Sequence, residues 1–238
     1  AGAFIAKKDS ARADWISGIS HDVRTPLSVI LGFAGQLEAD QTLPASAREQ
    51  ASHIRRQGEK LRSLISDLNL TSRLEYSMQP LRMEKVYFVE LARQVVCEFL
   101  DGGLEARYQI MFDSSQESET ASIMGDEALL KRALYNLIQN SVIHNPKGCV
   151  ISVSVVWNGN NTVITVSDNG IGVSAEKLDK LRATTNHLES TDERLKLRHG
   201  LGVLLVRQIV EAHHGTMEIE SAPQNGYQTV LTFPSEEP

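Results

Sequence analysis

Two clusters of polar residues in this chain have the types and the spacing that phosphoryl transfer requires. The first is the run SHDVRTP at residues 20–26, which places an imidazole, a carboxylate and a hydroxyl within about one and a half helical turns. The second begins at Asn136 and combines two asparagines with two glycine-containing runs further along the chain. The first cluster suits a nucleophilic histidine and the second a bound nucleotide, so together they predict phosphoryl transfer.

His21 is the candidate nucleophile of the first cluster. A neutral imidazole attacks phosphorus best when its other nitrogen donates a hydrogen bond to a carboxylate, and Asp22 is the adjacent carboxylate. Thr25 follows His21 by four residues, so the two share a helix face. Pro26 has no amide hydrogen for the Asp22 carbonyl, so we expect the helix to kink or loosen there. A histidine–aspartate pair alone is more often solvated helix surface, and the nucleotide motifs reverse that judgement.

The nucleotide motifs begin with Asn136 and Asn140, which share one face of a predicted helix. Their amide oxygens could hold Mg²⁺ together with phosphate oxygens, although a polar stripe on an amphipathic helix is the alternative. The run DNGIG that starts at Asp168 follows a predicted strand, and Gly170 and Gly172 allow the backbone to turn tightly beside a ligand. A buried Asp168 could accept a hydrogen bond from an exocyclic amine such as that of adenine; an ordinary strand-ending turn is the alternative.

A third motif, Gly200-Leu201-Gly202, opens a predicted helix. A glycine-rich turn at a helix N-terminus presents free backbone amides to phosphate. The polar segment 183–199 before it carries Lys196 and Arg198, and we expect a mobile loop that closes over the nucleotide as a lid. A solvated surface loop is the alternative interpretation.

The elements that must position these residues fall into two parts. Apolar residues recur at helical spacing over residues 6–38 and again over 51–68, with a break at 40–44, which predicts an antiparallel helical hairpin. Ser46 is the candidate N-cap of the second helix, with Glu49 as its capping-box partner. Because a lone hairpin exposes much of its apolar stripe, we expect it to pair with a second copy as a four-helix bundle.

The second part is predicted to be an α/β sandwich. Asn158-Gly159-Asn160-Asn161 separates two runs of alternating apolar residues and indicates a hairpin. Residues 113–122 are predicted to form a polar loop. The predicted helices lie at 88–100, 125–144 and 203–212, and the predicted strands at 108–112, 150–157, 162–167, 217–220 and 229–233. The chain is therefore expected to comprise a hairpin domain at 1–74, a linker at 75–81 and an α/β domain at 82–238.

Composition limits the remaining possibilities. The net charge of −6 gives no electrostatic reason to expect nucleic acid as a partner. No stretch approaches the roughly 20 apolar residues that span a bilayer, so we expect no membrane contact by this part of the chain. Cys97 and Cys149 are too few for a disulfide framework or a zinc site. The chain begins at Ala1 without methionine, and we expect it to be part of a longer protein.

In order and spacing, the motifs resemble those of the catalytic core of sensor histidine kinases of two-component systems. Residues 20–27 look like the H box of that family, 136–140 like its N box, 168–172 like its G1 box and 200–202 like its G2 box. The resemblance covers nearly the whole chain. It implies a multidomain α and α/β fold, in which a dimeric four-helix bundle precedes an ATP-binding sandwich of the Bergerat type shared with gyrase, Hsp90 and MutL.

The resemblance also implies the chemistry and the partners. His21 would be phosphorylated from ATP and would pass the phosphoryl group to an aspartate in the receiver domain of a cognate response regulator. Asp22 would be the base that orients the imidazole, and Thr25 would position water when the kinase dephosphorylates its regulator. The chain would act as a homodimer and would be the cytoplasmic portion of a membrane-anchored sensor.

By the same resemblance, the nucleotide would be ATP with Mg²⁺. Asn140 would ligate Mg²⁺, Asn136 would contact the phosphates, and Asp168 would bind adenine. Thr229 would support the adenine through a water molecule.

Three positions depart from the family pattern. The family often has a basic residue where this chain has Ile143, and we expect Lys147 or a lid cation to replace it. The phenylalanine-rich F box is not evident at 181–189. His214 stands where a glycine is frequent, with little expected effect.

Two other functions share part of this set of motifs. ATP hydrolases of the gyrase and Hsp90 type place a glutamate at the first N-box position to activate water. Asn136 occupies that position, and an amide cannot act as a general base, so this function is set aside. A pseudokinase that binds nucleotide as a dimeric signalling scaffold remains the alternative, because Ile143 and the missing F box fit it.

Overall fold

The computed structural model describes residues 2–75, 79–183 and 201–235. The chain divides into two compact units, residues 1–79 and 80–238. Within the described residues, no helix has both the length and the apolar composition needed to cross a membrane.

The first unit is a hairpin of two long helices, α1 (Gly2–Ala39) and α2 (Ala45–Glu75). The predicted hairpin is therefore confirmed, and both helices extend beyond their predicted ends. Helix α1 is continuous across Pro26. A helix of this length tolerates one missing amide hydrogen bond because the neighbouring turns remain bonded.

The turn between the helices is held by Asp40, and it places the start of α2 earlier than predicted. Asp40 Oδ1 accepts hydrogen bonds from the Thr42 amide at 2.8 Å and the Thr42 hydroxyl at 2.6 Å. The Pro44 carbonyl accepts from the Ala47 amide at 3.0 Å. The prediction of Ser46 as the N-cap was wrong, because α2 already begins at Ala45 and Ser46 is its second residue.

The two helices pack closely at small residues. A Cβ placed on Gly58 would lie 2.7 Å from Leu31 Cδ2, so a glycine allows the close approach. Ala34 and Ala51 are almost fully buried nearby. Several large apolar side chains of the same helices nevertheless remain exposed. These are Ile19, Val23, Val29, Ile30, Phe33, Leu37, Ile54 and Leu61.

The second unit is an α/β sandwich, which confirms the predicted fold class. Its helices are α3 (Phe88–Asp101), α4 (Glu127–His144), α5 (Ala175–Ala183) and α6 (Leu201–Ala212), with a 3₁₀ turn at Gln116–Glu119. Its strands are β1 (Glu84–Tyr87), β2 (Tyr108–Ser114), β3 (Ser122–Gly125), β4 (Cys149–Trp157), β5 (Asn161–Asp168), β6 (Thr216–Ser221) and β7 (Tyr227–Pro234).

The main sheet has the strand order β2-β4-β5-β7-β6, and helices cover one of its faces. Strands β2 and β4 are parallel, whereas the other neighbouring pairs are antiparallel. Burial alternates along β4 and β5, and Ile151, Val153 and Ile164 point into the core. This alternation is the expected result when only one face of a sheet is covered.

The small sheet formed by β1 and β3 was not predicted from the sequence. It pairs Val86 with Ile123 across a separation of 37 residues in the chain. Residues 113–122 were predicted to be one polar loop, but they contain the end of β2, the 3₁₀ turn and the start of β3. Helix α4 starts two residues later than predicted, because Asp126 Oδ1 caps it by accepting from the Leu129 amide at 3.2 Å.

Candidate functional site

The histidine of the first cluster lies on the outside of α1. The side chains of His21 and Asp22 are 78% and 84% exposed, and His21 Nδ1 lies 3.4 Å from Asp22 Oδ1. This distance is at the long end of the range for a hydrogen bond, so the contact orients the ring only loosely. With the proton on Nδ1 and shared with Asp22, the lone pair of Nε2 faces solvent.

The helix spacing explains why these residues point outward. Ser20 is buried, and its hydroxyl donates to the Ile16 carbonyl at 2.7 Å. Leu27, seven residues after Ser20, lies on the same inward face. Thr25 is exposed on the face of His21, and its hydroxyl lies 3.5 Å from the His21 carbonyl oxygen.

In the second unit, Asp168 ends strand β5 and is almost fully buried. Its Oδ2 accepts a hydrogen bond from the Ser141 hydroxyl at 2.7 Å. Its Oδ1 accepts from Asn145 Nδ2 at 3.2 Å and from the Gly170 amide at 2.9 Å. The carboxylate is therefore held in one orientation by three donors from two different segments.

Asn145 connects the two segments, although sequence reasoning did not single it out. It is the C-cap residue of α4 and is almost fully buried. Its Nδ2 also donates to the Ser141 carbonyl at 2.9 Å, and its Oδ1 accepts from the Ile171 amide at 3.0 Å. The available signal was its position, one turn beyond the predicted N box on the same helix.

The two N-box asparagines lie against the G2 glycine. A Cβ on Gly202 would lie 3.4 Å from Asn140 Oδ1 and 3.5 Å from Asn136 Oδ1. Asn136 is buried, and its Nδ2 donates to the Arg132 carbonyl at 3.1 Å. The absence of a side chain at Gly202 therefore leaves room beside two amide oxygens. The structure thus brings Asn136, Asn140 and Gly202 together, with Leu201 as the first residue of α6.

The predicted glycines of the DNGIG run are sterically required. A Cβ on Gly170 would lie 1.9 Å from Asn145 Oδ1. Gly172 has a φ of 62°, and a Cβ there would lie 2.0 Å from the Ala222 carbonyl oxygen. Neither position has space for a larger residue without movement of the backbone.

An open cleft lies between α4, α5 and the end of the sheet. Polar side chains line part of it, namely Asn140, Ser141, Asn145 and Asp168. Apolar side chains also line it, namely Ile171, Val173, Leu181 and Val203, together with the ring of Tyr227, and His144 and Lys177 add two basic side chains. Ile171 is 63% exposed and belongs to the lining, so its apolar side chain is accessible to a ligand in the cleft. A flat, mostly apolar molecule with a hydrogen-bond donor at one edge fits this lining.

Tyr227 lines the cleft, whereas the predicted Thr229 does not. Thr229 is almost fully buried, two residues further along the same strand face. Burial raises the pKa of Tyr227 to about 12. Within the described residues, neither the Tyr227 nor the Thr229 hydroxyl has a hydrogen-bond partner of good geometry. Sequence reasoning missed Tyr227. It is paired with Asp168 across strands β5 and β7, so the two residues lie at the same end of the sheet.

The basic residues near the cleft differ from the expected ones. Ile143 is 50% exposed and lies outside the lining. Lys147 is also absent from the lining, whereas His144 and Lys177 belong to it in the part of the chain that the structure describes. The predicted Lys196, Arg198 and Gly200 lie outside the described residues.

His213 and His214 follow α6, and His213 connects the end of α6 to the start of α4. His213 is buried, its Nδ1 donates to the Ile209 carbonyl at 2.6 Å, and its Nε2 accepts from the Asp126 amide at 2.9 Å. Burial lowers the pKa of His213, so the neutral ring is favoured. His214 has a φ of 58°, the left-handed region that favours glycine, which explains why the family often has glycine there.

Two family models match the chain. Residues 11–77 match the His Kinase A (phospho-acceptor) domain, and residues 125–237 match the histidine kinase-, DNA gyrase B-, and HSP90-like ATPase. The first match contains His21 and the second contains Asn136, Asn140 and Asp168.

The relatives found by sequence are sensor kinases. The sensor histidine kinase YvrG of Bacillus subtilis is 33% identical over 233 residues, which are 95% of this chain and 39% of YvrG. The autoinducer 2 sensor kinase/phosphatase LuxQ of Vibrio parahaemolyticus is 29% identical over 239 residues, which are 96% of this chain and 27% of LuxQ. The chain thus spans less than half of the length of these relatives.

Solved structures share the fold. Full-length ShkA in complex with AMPPNP aligns with a TM-score of 0.73 at 24% identity, over 94% of this chain and 46% of that one. The Acinetobacter baumannii histidine kinase AdeS aligns with a TM-score of 0.60 at 18% identity, over 90% of this chain and 97% of that one. The two domain matches, in this order and with these relatives, identify the chain as the catalytic core of a two-component sensor histidine kinase.

Proposed function

We propose that this chain phosphorylates its own His21 from ATP and transfers the phosphoryl group to an aspartate in the receiver domain of a cognate response regulator. The observation that carries this proposal is the exposed His21 with Asp22 at its Nδ1, on a unit separate from the cleft. A nucleotide hydrolase needs no such histidine. An exposed ring suits a residue that must meet both a nucleotide and a second protein.

Asp168 is proposed to recognise adenine. A carboxylate offers about four acceptor positions, and Ser141, Asn145 and Gly170 use three of them. The remaining position can accept a hydrogen bond from the exocyclic amine of adenine. Guanine has a carbonyl oxygen at the corresponding position, which would face the carboxylate with no proton between them, so ATP is favoured over GTP.

The phosphates are proposed to lie along the N box and the G2 glycines. Gly202 leaves room for them beside Asn136 and Asn140, and Leu201 opens α6 with its free amides. Amide oxygens are hard ligands that suit Mg²⁺, so Asn140 would hold the ion and Asn136 would contact the phosphates. Mg²⁺ bound there would neutralise charge on the phosphate oxygens. We propose that the phosphates are also bound by Lys196, Arg198 and Gly200.

The proposed transfer has two steps. The Nε2 lone pair of His21 attacks the γ-phosphorus, a P–N bond forms, and the bond from the γ-phosphorus to the bridging oxygen breaks, releasing ADP. Asp22 holds the Nδ1 proton and stabilises the positive charge that develops on the ring. In the second step an aspartate oxygen of the regulator attacks the phosphorus, and the P–N bond breaks.

A phosphatase activity toward the regulator is proposed as well. The relative LuxQ is named a sensor kinase/phosphatase. Thr25 lies on the face of His21, and its exposed hydroxyl can hold a water molecule for attack on the regulator's acyl phosphate. We therefore assign Thr25 to dephosphorylation and not to autophosphorylation.

The chain is proposed to act as a homodimer. The exposed Val29, Ile30 and Phe33 on α1 and Ile54 and Leu61 on α2 form an uncovered apolar surface on the hairpin. A second copy would cover this surface in a four-helix bundle. Because the relatives are longer, we also propose that the parent protein carries a sensing part and a membrane anchor, and that residues 75–81 link the two domains.

The alternative is a pseudokinase scaffold that binds nucleotide without transferring phosphate. It is favoured by Ile143, which leaves no basic side chain at a position where the family often has one. Lys177 at the cleft offers a cation that could replace it. One experiment separates the two functions.

The chain and its His21→Gln variant are incubated with γ-labelled ATP and Mg²⁺. We expect acid-labile, base-stable label on the parent chain and none on the variant, which keeps the size and polarity of the side chain. Replacement of exposed His53 by Gln on α2 is the matched control and should label normally. ATP binding without label on the parent chain would favour the scaffold.

A further inference from the structure

One wall of the cleft is a segment that belongs to no helix or strand. Residues 170–173, here called the wall segment, contribute Ile171, Gly172 and Val173 to the lining. The sheet hydrogen bonds of β5 end at Asp168, so they do not fix this segment. Its position depends instead on the turn 222–226 between β6 and β7, here called the clamp turn.

Backbone hydrogen bonds join the two segments. The Gln224 amide donates to the Ile171 carbonyl at 2.8 Å. The Gly226 amide donates to the Gly170 carbonyl at 3.1 Å. These bonds connect residues more than 50 positions apart, so folding of the sheet brings them together.

The two segments also touch backbone to backbone. A Cβ on Gly172 would lie 2.0 Å from the Ala222 carbonyl oxygen, and one on Gly226, with φ 74°, would lie 1.8 Å from the Asp168 carbonyl oxygen. Gln224 adopts a φ of 64°, which is strained for a residue other than glycine. Contact this tight leaves the wall segment little freedom as long as the clamp turn keeps its shape.

Ser221, the last residue of β6, joins both segments through its side chain. Its hydroxyl donates to the Gly226 carbonyl at 2.6 Å and accepts from the Val173 amide at 3.0 Å. A serine hydroxyl has one hydrogen to donate, so Ser221 uses it within the clamp turn and uses a lone pair on the wall segment. Both bonds are partly shielded from water.

We propose that Ser221 is a positioning residue for adenine recognition, acting through the wall segment without touching the nucleotide. This inference rests on the proposed ATP site. Without the hydroxyl, the Val173 amide and the Gly226 carbonyl lose their partner, and Ile171 and Val173 are no longer held at the correct distance from the base. The phosphate side is formed by Asn136 and Asn140 of α4 and by Gly202 of α6, whereas the hydroxyl of Ser221 bonds Val173 and Gly226, so we expect phosphate binding to be retained.

The test compares Ser221→Ala with Ser221→Thr, which keeps the hydroxyl and suits a strand. Ser154→Ala, on the opposite face of the sheet, is the matched control. Dissociation constants for ATP and for GTP, both with Mg²⁺, are measured by calorimetry and competition, and melting temperatures are recorded for every variant. For Ser221→Ala we expect ATP binding about tenfold weaker and GTP binding changed less than twofold.

Restoration of ATP binding by Ser221→Thr, with an unchanged control, would support the inference. Equal losses for ATP and GTP would overturn it, because the residue would then act on the whole fold or on the phosphates. Unchanged ATP binding by Ser221→Ala would overturn it as well. These measurements require no phosphoryl transfer, so a chain that binds ATP through this arrangement but does not label His21 would contradict only the proposed function.

Discussion

His21 and Asp168 lie in surroundings that differ in burial and in hydrogen bonding. His21 is 78% exposed, and its nearest polar contact, Asp22, is at 3.4 Å. Asp168 is 9% exposed and accepts three hydrogen bonds of 2.7 to 3.2 Å. A residue that must contact two different macromolecular surfaces in turn needs a side chain that is exposed to solvent. A residue that must select one base needs a fixed orientation and exclusion of water.

The same contrast extends to how each region is built. The hairpin places His21, Asp22 and Thr25 by helix spacing alone, within one stretch of chain. The cleft is assembled from α4, β5, α5, α6 and β7. We therefore expect substitutions in the cleft to act on binding, and substitutions beside His21 to act on rate.

The largest effect is expected for Asp168→Asn. An amide places a donor where the Ser141 hydroxyl and the adenine amine also donate, and it removes the charge that strengthens these bonds. ATP affinity should fall about a hundredfold or more, measured by calorimetry. Asp113→Asn, at an exposed position of β2, is the control and should bind normally. A loss of ATP affinity of less than threefold would show that Asp168 does not recognise the base.

The next effect is expected for Asp22→Asn. The amide can accept the Nδ1 hydrogen bond but carries no charge to stabilise the imidazolium. The kcat of autophosphorylation should fall about tenfold to a hundredfold while the KM for ATP stays unchanged. Asp101→Asn, exposed at the end of α3, serves as the comparison. A rise in the KM for ATP without a fall in kcat would contradict the expectation that substitutions beside His21 act on rate and not on binding.

A smaller and more selective effect is expected for Thr25→Ala. Dephosphorylation of the regulator should slow by about tenfold, because one hydrogen bond to the attacking water is lost, and autophosphorylation should change little. The measurement follows label on His21 and on the regulator in parallel. Equal loss of both activities would assign Thr25 a structural role through its contact with the His21 carbonyl.

The smallest effect is a dependence of stability on pH through His213. Burial lowers the pKa of this ring, the hydrogen bond to the Ile209 carbonyl and the charge of Asp126 oppose the shift, and His214 adds to it. The unfolded chain therefore binds a proton at higher pH than the folded chain, so stability is complete above about pH 6.5 and falls as the pH drops through the folded pKa. The slope is at most about 1.4 kcal/mol per pH unit.

Urea unfolding of the chain between pH 5 and 8 measures this slope. His213→Gln should be less stable at pH 8, because the Asp126 amide loses the acceptor Nε2, and its stability should depend less on pH. His53→Gln, exposed on α2, should keep the full slope. The same slope in His213→Gln would assign the pH dependence to other groups.

The sequence predicted the elements whose signal is local. The hairpin follows from helical spacing of apolar residues, and the β4–β5 hairpin follows from alternation around the turn 158–161. The β1–β3 pair and α5 were missed, since a four-residue strand carries little periodicity and its pairing partner lies far away in the chain. Ser46 was misplaced because the Pro44 carbonyl and the Asp40 turn set the start of α2.

By itself, the sequence determined the chemical groups: a histidine beside a carboxylate, paired asparagines and two glycine motifs, each contained in one short run. Only the tertiary structure decided which further residues share the site. Asn145 and Ser221 form hydrogen bonds with residues 171 and 173 from distant parts of the chain, and Tyr227 lines the cleft from β7. The physical reason is the distance along the chain over which each interaction acts. Helix and strand periods act over a few residues, whereas the fit of a ligand depends on groups that only the folded sheet brings together.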